Sequence, residues 1–139
     1  MKQQQRVKLA RDFYLDEFTR SEKATELGID NTPPTEAIEK LRDLVQNVLQ
    51  PAREKYGKPI TINSGYRCPE LNEAVGGAPT SQHMTGEAAD LDTGSKAGNV
   101  MLYTILLGLP FDQLINEKDL TWIHVSFRKK NNRHQKLKK

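Results

Sequence analysis

Cysteine is nearly absent from this 139-residue chain, which has only Cys68. One thiol cannot close an intrachain disulfide, so the fold cannot depend on one. With no second cysteine beside it, Cys68 reads as a small buried hydrophobe more readily than as a metal ligand or nucleophile. Long apolar runs are absent too. No stretch approaches the roughly 18 residues that a membrane-spanning helix requires. The start, Met1-Lys2-Gln3-Gln4-Gln5-Arg6-Val7-Lys8, is basic, but no apolar core follows it, so no secretory signal is expected. As written the chain is expected in the cytoplasm, acting on a cell wall only if something else releases it. Aromatics are few, at 6%, in a composition of 36% hydrophobic and 28% charged residues. That is ordinary for one soluble domain with a real core, and a monomer is expected.

Acids are missing from one end. The last twelve residues, Arg128 to Lys139, hold seven Lys/Arg and no Asp or Glu, while the remainder carries 14 basic against 18 acidic residues. Such a tail could contact a polyanion, either nucleic acid or an anionic cell-wall polymer. A frayed tail that aids solubility accounts for it equally well. Nucleic-acid binding has no aromatic platform behind it, and it would show steep salt dependence lost on removing residues 128–139. The expected organisation is a single domain, 1–139, with a loosely packed start (1–16), a core (17–128) and a basic tail (129–139).

Within the core, Thr19 and Glu22 make a capping box for a short helix that Gly28 closes. Asn31-Thr32-Pro33-Pro34 is a rigid linker. Thr35 can cap the next helix, where Ile38, Leu41, Leu44, Val45, Val48, Leu49 and Ala52 repeat at three and four to make one apolar face. Pro51 is expected to kink or split it before Tyr56-Gly57. Pro59 to Asn63 is a short β-branched strand that runs into the glycine turn Ser64-Gly65-Tyr66-Arg67. A short helix at Pro69–Ala74 and a loop to Thr80 follow. Further on, 86–92 reads as a strand, 95–107 as an amphipathic helix, and 112–116 and 121–127 as two strands joined tightly. Helices early and strands late favour α+β over a wound parallel sheet.

Two stretches carry chemistry. In Ser81-Gln82-His83-Met84-Thr85-Gly86-Glu87-Ala88-Ala89-Asp90, Gly86 permits a sharp turn between His83 and Asp90. Residues 88, 90 and 92 then share a strand face, with small Ala88 leaving room beside Asp90. By spacing alone this could as well be a surface loop and an edge-strand acid, and Asp92 is the alternative ligand. In Trp122-Ile123-His124-Val125-Ser126, alternation puts Trp122, His124 and Ser126 on one face, a poor core and a good pocket floor. A half-buried structural histidine fits that position too. His83, Asp90 and His124 together supply two imidazoles and one carboxylate, the ligand count of a catalytic zinc site with one position open. Such an ion lowers a water's pKa and polarises a carbonyl, and amide hydrolysis then needs a general base beside the water. Glu117 and Asp119, just before the His124 strand, are the candidates. An iron oxygenase commonly sets His and Asp two apart, and the gap of seven here argues against one.

The pattern Ser81-x-His83-x-x-Gly86-x-Ala88-x-Asp90, then Trp122-Ile123-His124-Val125-Ser126, with Ser64-Gly65-Tyr66-Arg67 upstream, resembles the zinc D-Ala-D-Ala carboxypeptidases. That superfamily includes the vancomycin-resistance dipeptidases, phage L-alanyl-D-glutamate endolysins and the hedgehog signalling domain. The likeness covers about residues 17 to 128 and is strongest to small stand-alone members of bacterial genomes and prophages. It implies zinc on His83, Asp90 and His124. It also implies that Arg67 binds the substrate carbonyl or carboxylate, that Ser81 hydrogen-bonds nearby and that Trp122 walls the pocket. The pattern departs at the base. Dipeptidases of the family carry a glutamate where this chain has Thr121, and hedgehog-like members carry it at the end of the preceding strand. With one extra residue in the connection, that end is Glu117, with Asp119 second.

The expected fold is therefore α+β and hedgehog/DD-peptidase-like, a small antiparallel sheet with helices on one face and a zinc cleft on the other. The expected function is a zinc metallopeptidase, a hydrolase of peptidoglycan stem-peptide bonds involving a D-amino acid, of carboxypeptidase or endopeptidase (endolysin) type. The alternative is a non-catalytic zinc module of the same fold that binds cell wall or a protein. Housekeeping trimming and phage lysis fit the expected activity equally.

Overall fold

The apolar repeat at Leu41, Leu44, Val45, Val48, Leu49 and Ala52 lies wholly buried along the longest helical stretch, residues 35–56. In this computed structural model, which describes residues 6–139, the stretch comprises α3 (Thr35–Leu44), a π-helical turn (Val45–Leu49) and α4 (Gln50–Tyr56). Two short helices, α1 (Asp16–Thr19) and α2 (Glu22–Leu27), precede it. The helix does not break at Pro51. Proline has no N–H to give, and the helix takes up the missing bond in the π turn immediately upstream. Ala37 joins the buried face in place of Ile38, which is half-buried. Local caps also differ from expectation. Pro34 rather than Thr35 precedes α3, and Ser21 rather than Thr19 caps α2, its Oγ accepting from Ala24 N at 3.1 Å. Gly28 closes α2 in the left-handed conformation as expected.

Five strands form the main sheet: β3 (Thr61–Ser64), β4 (Ala88–Asp92), β5 (Gln113–Glu117), β6 (Trp122–Ser126) and β7 (Gln135–Lys138), in the order β3-β4-β6-β5-β7. The three pairings among β3, β4, β6 and β5 are antiparallel, whereas β7 runs parallel to β5, so the sheet is mixed at one edge. Alternation sorts its faces. Ile62, Ala89, Leu91, Leu114, Ile123 and Val125 point into the core against α3, α4 and α6 (Lys96–Leu107). Asp90, His124, Ile115 and Glu117 point the other way. The architecture is α+β with helices on one face and a cleft on the other.

Both ends are better packed than expected. Residues 8–14 form a hairpin, β1 (Lys8–Ala10) and β2 (Phe13–Tyr14), whose Leu9 and Phe13 are fully buried in the core. The loosely packed start is thus corrected for these residues, while Met1–Gln5 lie outside the described ones. The basic tail is corrected as well. Phe111 stacks on His134 with centroids 4.0 Å apart, and the backbone of Lys139 bonds to Asn116 and Lys118 at 2.9 Å each. Among the described residues no helix is long and apolar enough to cross a membrane.

Candidate metal centre

Strand register places two of the three candidate ligands. Asp90 on β4 lies directly opposite His124 on β6, and both side chains face the cleft. Directly opposed antiparallel residues have side chains within contact reach. The His124 Nδ1 to Asp90 Oδ1 distance is 3.0 Å.

The third ligand comes from a turn. After α5 (Pro69–Ala74) and a loop, residues Gln82–Thr85 make one 3-10 turn whose start is capped by Ser81 Oγ, which accepts from His83 N at 3.2 Å. Gly86 ends the turn at φ 81°, where a Cβ would stand 2.3 Å from Ala37 O. Only glycine satisfies both the dihedral and the approach. Arg67 N donates to His83 O at 3.0 Å, tying the Ser64–Arg67 segment to this turn. That segment is itself seated by Gly65, where a Cβ would fall 2.6 Å from Phe18 O.

His83 is only 2% exposed, and its Nδ1 lies 2.7 Å from Gly65 O. A carbonyl only accepts, so Nδ1 carries the proton and the Nε2 lone pair faces Asp90 Oδ1, 3.4 Å away. A histidine held by a backbone carbonyl through its other nitrogen is the usual support of a metal ligand. Two imidazole nitrogens therefore converge on one carboxylate oxygen, and the three ligand atoms all lie within 4.8 Å of one another. Tetrahedral zinc with bonds near 2.1 Å sets its donors about 3.4 Å apart. The measured 3.0 and 3.4 Å separations suit such an ion. Burial pushes the Asp90 carboxyl up, but its hydrogen bond with His124 helps hold it well below the usual carboxylate range. The set is thus anionic, buried and shaped for a dication.

The other expected residues divide. A cavity of about 620 Å³ is lined by Arg67, Ser81, Glu117 and Trp122 together with the three ligands. Arg67 is half-buried. Its Nη2 is 3.4 Å from Ser81 Oγ, and its buried Nε has no hydrogen-bond partner among the described residues. Burial works against its charge and Asp90 supports it. Glu117 ends β5 opposite Trp122, half-buried on the cavity wall. Asp119 does not join them. It lies in a turn where Lys118, Asp119 and Leu120 all have left-handed φ (49°, 54° and 59°), and its exposed carboxylate pairs with Lys96 Nζ at 2.5 Å. Asp92, the alternative ligand, instead accepts from Gly94 N at 3.0 Å and Asn99 Nδ2 at 3.1 Å, closing the turn into α6. Cys68 is half-buried, and its sulfur caps α5 by accepting from Leu71 N at 3.4 Å.

Among the cleft residues that the sequence does not reveal are Gln113, Arg128, Arg133 and Lys139. The alternation Gln113-Leu114-Ile115 would have pointed to the first. The other three stand in the segment taken for a tail, where charge density hid the strand.

A family model described as peptidase M15 matches residues 11–126 of the chain. Among curated proteins, the zinc D-Ala-D-Ala carboxypeptidase of Streptomyces albus G is 53% identical over 49 residues, 34% of this chain. The matched part spans only 19% of that protein's length.

Proposed function

The chain belongs to the peptidase M15 family, and we propose that it is a zinc-dependent peptidase whose ligands are His83, Asp90 and His124. One observation carries the reading: His83 Nε2 and His124 Nδ1 converge on Asp90 Oδ1 while Gly65 O fixes the His83 tautomer. The name of the Streptomyces relative supports the metal and directs the substrate reading to peptide bonds involving a D-amino acid in peptidoglycan.

His83, Asp90 and His124 would hold a zinc ion, which would supply Lewis-acid chemistry and lower the pKa of a water. Glu117 is the carboxylate on the cavity wall that we assign as general base, taking the water's proton and passing it to the leaving amine. Arg67, whose guanidinium lines the cavity, orients the scissile carbonyl and stabilises the negative charge that builds on its oxygen. Ser81 holds both the His83 turn and the Arg67 guanidinium, and Trp122 closes one side against water. Carboxypeptidase action would use Arg67 on a terminal carboxylate, whereas endopeptidase action leaves it on a carbonyl. Such a peptidase would meet its substrate at the cell wall if the chain is released there, in wall trimming or phage lysis.

Metal analysis combined with mass spectrometry of muropeptides tests the reading. Zinc at one per chain, fragments released by the wild type and none released by His83→Ala are expected. Intact muropeptides after incubation with fully zinc-loaded wild type would sink it in favour of a non-catalytic wall- or protein-binding module.

A further inference from the structure

The basic C-terminal segment builds a wall of the cleft. β7 pairs with β5 as Gln113↔Gln135 and Ile115↔Leu137, and paired residues of neighbouring strands share a face. Gln135 and Leu137 therefore stand on the cleft side of the sheet, and Lys139, next in the alternation, lines the cavity. The side chains of Gln113 and Gln135 meet at 2.7 Å, as that placement requires.

Upstream of β7 the segment is clamped. Asp112 is fully buried and receives Arg133 N and Nη2 at 2.7 Å each, Arg133 Nε at 3.0 Å and Gln82 Nε2 at 2.8 Å. The Arg133 plane is thus fixed, while its Nη1 has no hydrogen-bond partner among the described residues and the side chain lines the cavity. Arg128 is shared at longer range between Glu87 (3.4 Å) and Asp112 (3.5 Å). The Lys139 ammonium has no ion pair among the described residues.

Four cations and two carboxylates line the cavity. Asp90 belongs to the metal, Glu117 to proton transfer and Arg67 to the scissile group. Arg128, Arg133 and Lys139 remain, all from residues 128–139 and all unused by the chemistry. With its Nε and Nη2 spent on Asp112, Arg133 keeps the two N–H groups of Nη1 to donate to a carboxylate from a fixed position, and a free ammonium beside the same cleft adds a point charge.

We propose that residues 128–139 form a carboxylate-reading subsite, in which Arg133 and Lys139 hold a second carboxylate of an acidic peptide, remote from the scissile bond. The subsite rests on the peptidase reading for its ligand class but not on turnover. The lowered pKa of Asp112, at about 2, keeps the clamp ionised through the neutral range.

Calorimetry on the full zinc-loaded chain tests it, in a Glu117→Gln background so that peptide is not consumed. Two short stem-type peptides containing a D-residue are compared, one with a free carboxylate remote from the scissile bond and one with that group amidated. The acid form is expected to bind about tenfold more tightly. Lys139→Gln should cut that preference at least threefold with zinc content and melting temperature unchanged. Arg133→Lys, which keeps the charge and loses the fixed Nη1 donor, should cut it as well. Equal affinity for the two peptides overturns the subsite, as does a preference that survives both variants. A preference for acid without cleavage by the wild type upholds the subsite and overturns the peptidase reading. Cleavage of both peptides at equal affinity does the reverse.

Discussion

Replacing Asp112 by Asn separates the charge of the clamp from its shape. In the folded protein burial pushes this carboxyl up, but hydrogen bonds from Arg133, then Gln82, bring it down from 3.8 to about 2. The folded pKa is depressed, so the unfolded chain holds the proton more strongly. The stability this group contributes is therefore present above about pH 4 and is lost as pH falls through about 2. A shift of nearly two units corresponds to about 2 kcal/mol. Asp112→Asn should thus unfold about 8 °C lower at pH 7. The decisive quantity is the gap in unfolding free energy between the two proteins, from urea titrations at pH 7, 5, 4 and 3. It should be flat from pH 7 to 5, narrow below 4 and close towards pH 2. Poor packing of the amide would add an offset independent of pH, and Asp90 titrates in both proteins and cancels. A gap that stays constant down to pH 3 would refute the charge-based account of the clamp.

Three further outcomes are expected. Gly65→Ala forces a Cβ to within 2.6 Å of the Phe18 backbone, and should cost about 2 kcal/mol or more and weaken zinc binding by displacing the Gly65 carbonyl from His83; calorimetric zinc affinity unchanged from wild type would contradict it. Glu117→Gln should keep zinc and lower kcat on muropeptides by about 100-fold or more, with KM little changed. Asp119→Asn loses one exposed pair with Lys96, so stability should move by less than about 1 kcal/mol and activity by less than about twofold; a large loss of kcat would reinstate it as the base.

What could be read from the residues followed from periodicity. The three-and-four repeat of α3 and α4 and the alternation in β4 and β6 identify buried and cleft faces without any tertiary information. They put Asp90 and His124 on faces able to meet. The failures share a different cause. Whether the chain of β7 lies on β5 is decided by Asp112, and a lone acid at the start of a strand carries no sign that it will be buried with an arginine 21 residues on. Leu9 and Phe13 carry no readable signal, because a hairpin of three and two residues is too short for any period to show. Asp119 was indistinguishable from Glu117 by spacing. Three consecutive left-handed residues at 118–120 separate them by turning one carboxylate towards Lys96 while the other stays on the wall.

The three candidate ligands are not equally secured. Asp90 and His124 are held by paired strands, whose backbone bonds persist if any one side chain changes. His83 rides on a single turn, and three contacts from outside locate it: Gly65 O on its ring, Arg67 N on its carbonyl, and Asp112 on the side chain of its neighbour Gln82. The last of these also clamps Arg133. Asp112 thereby joins the position of a candidate metal ligand to the wall of the cleft, although it belongs to neither the ligand group nor the cavity lining. Loosening it should soften both together, whereas Lys139→Gln should disturb the wall alone. The difference between those two variants in zinc affinity measures how far the C-terminal segment supports the metal as well as the cleft.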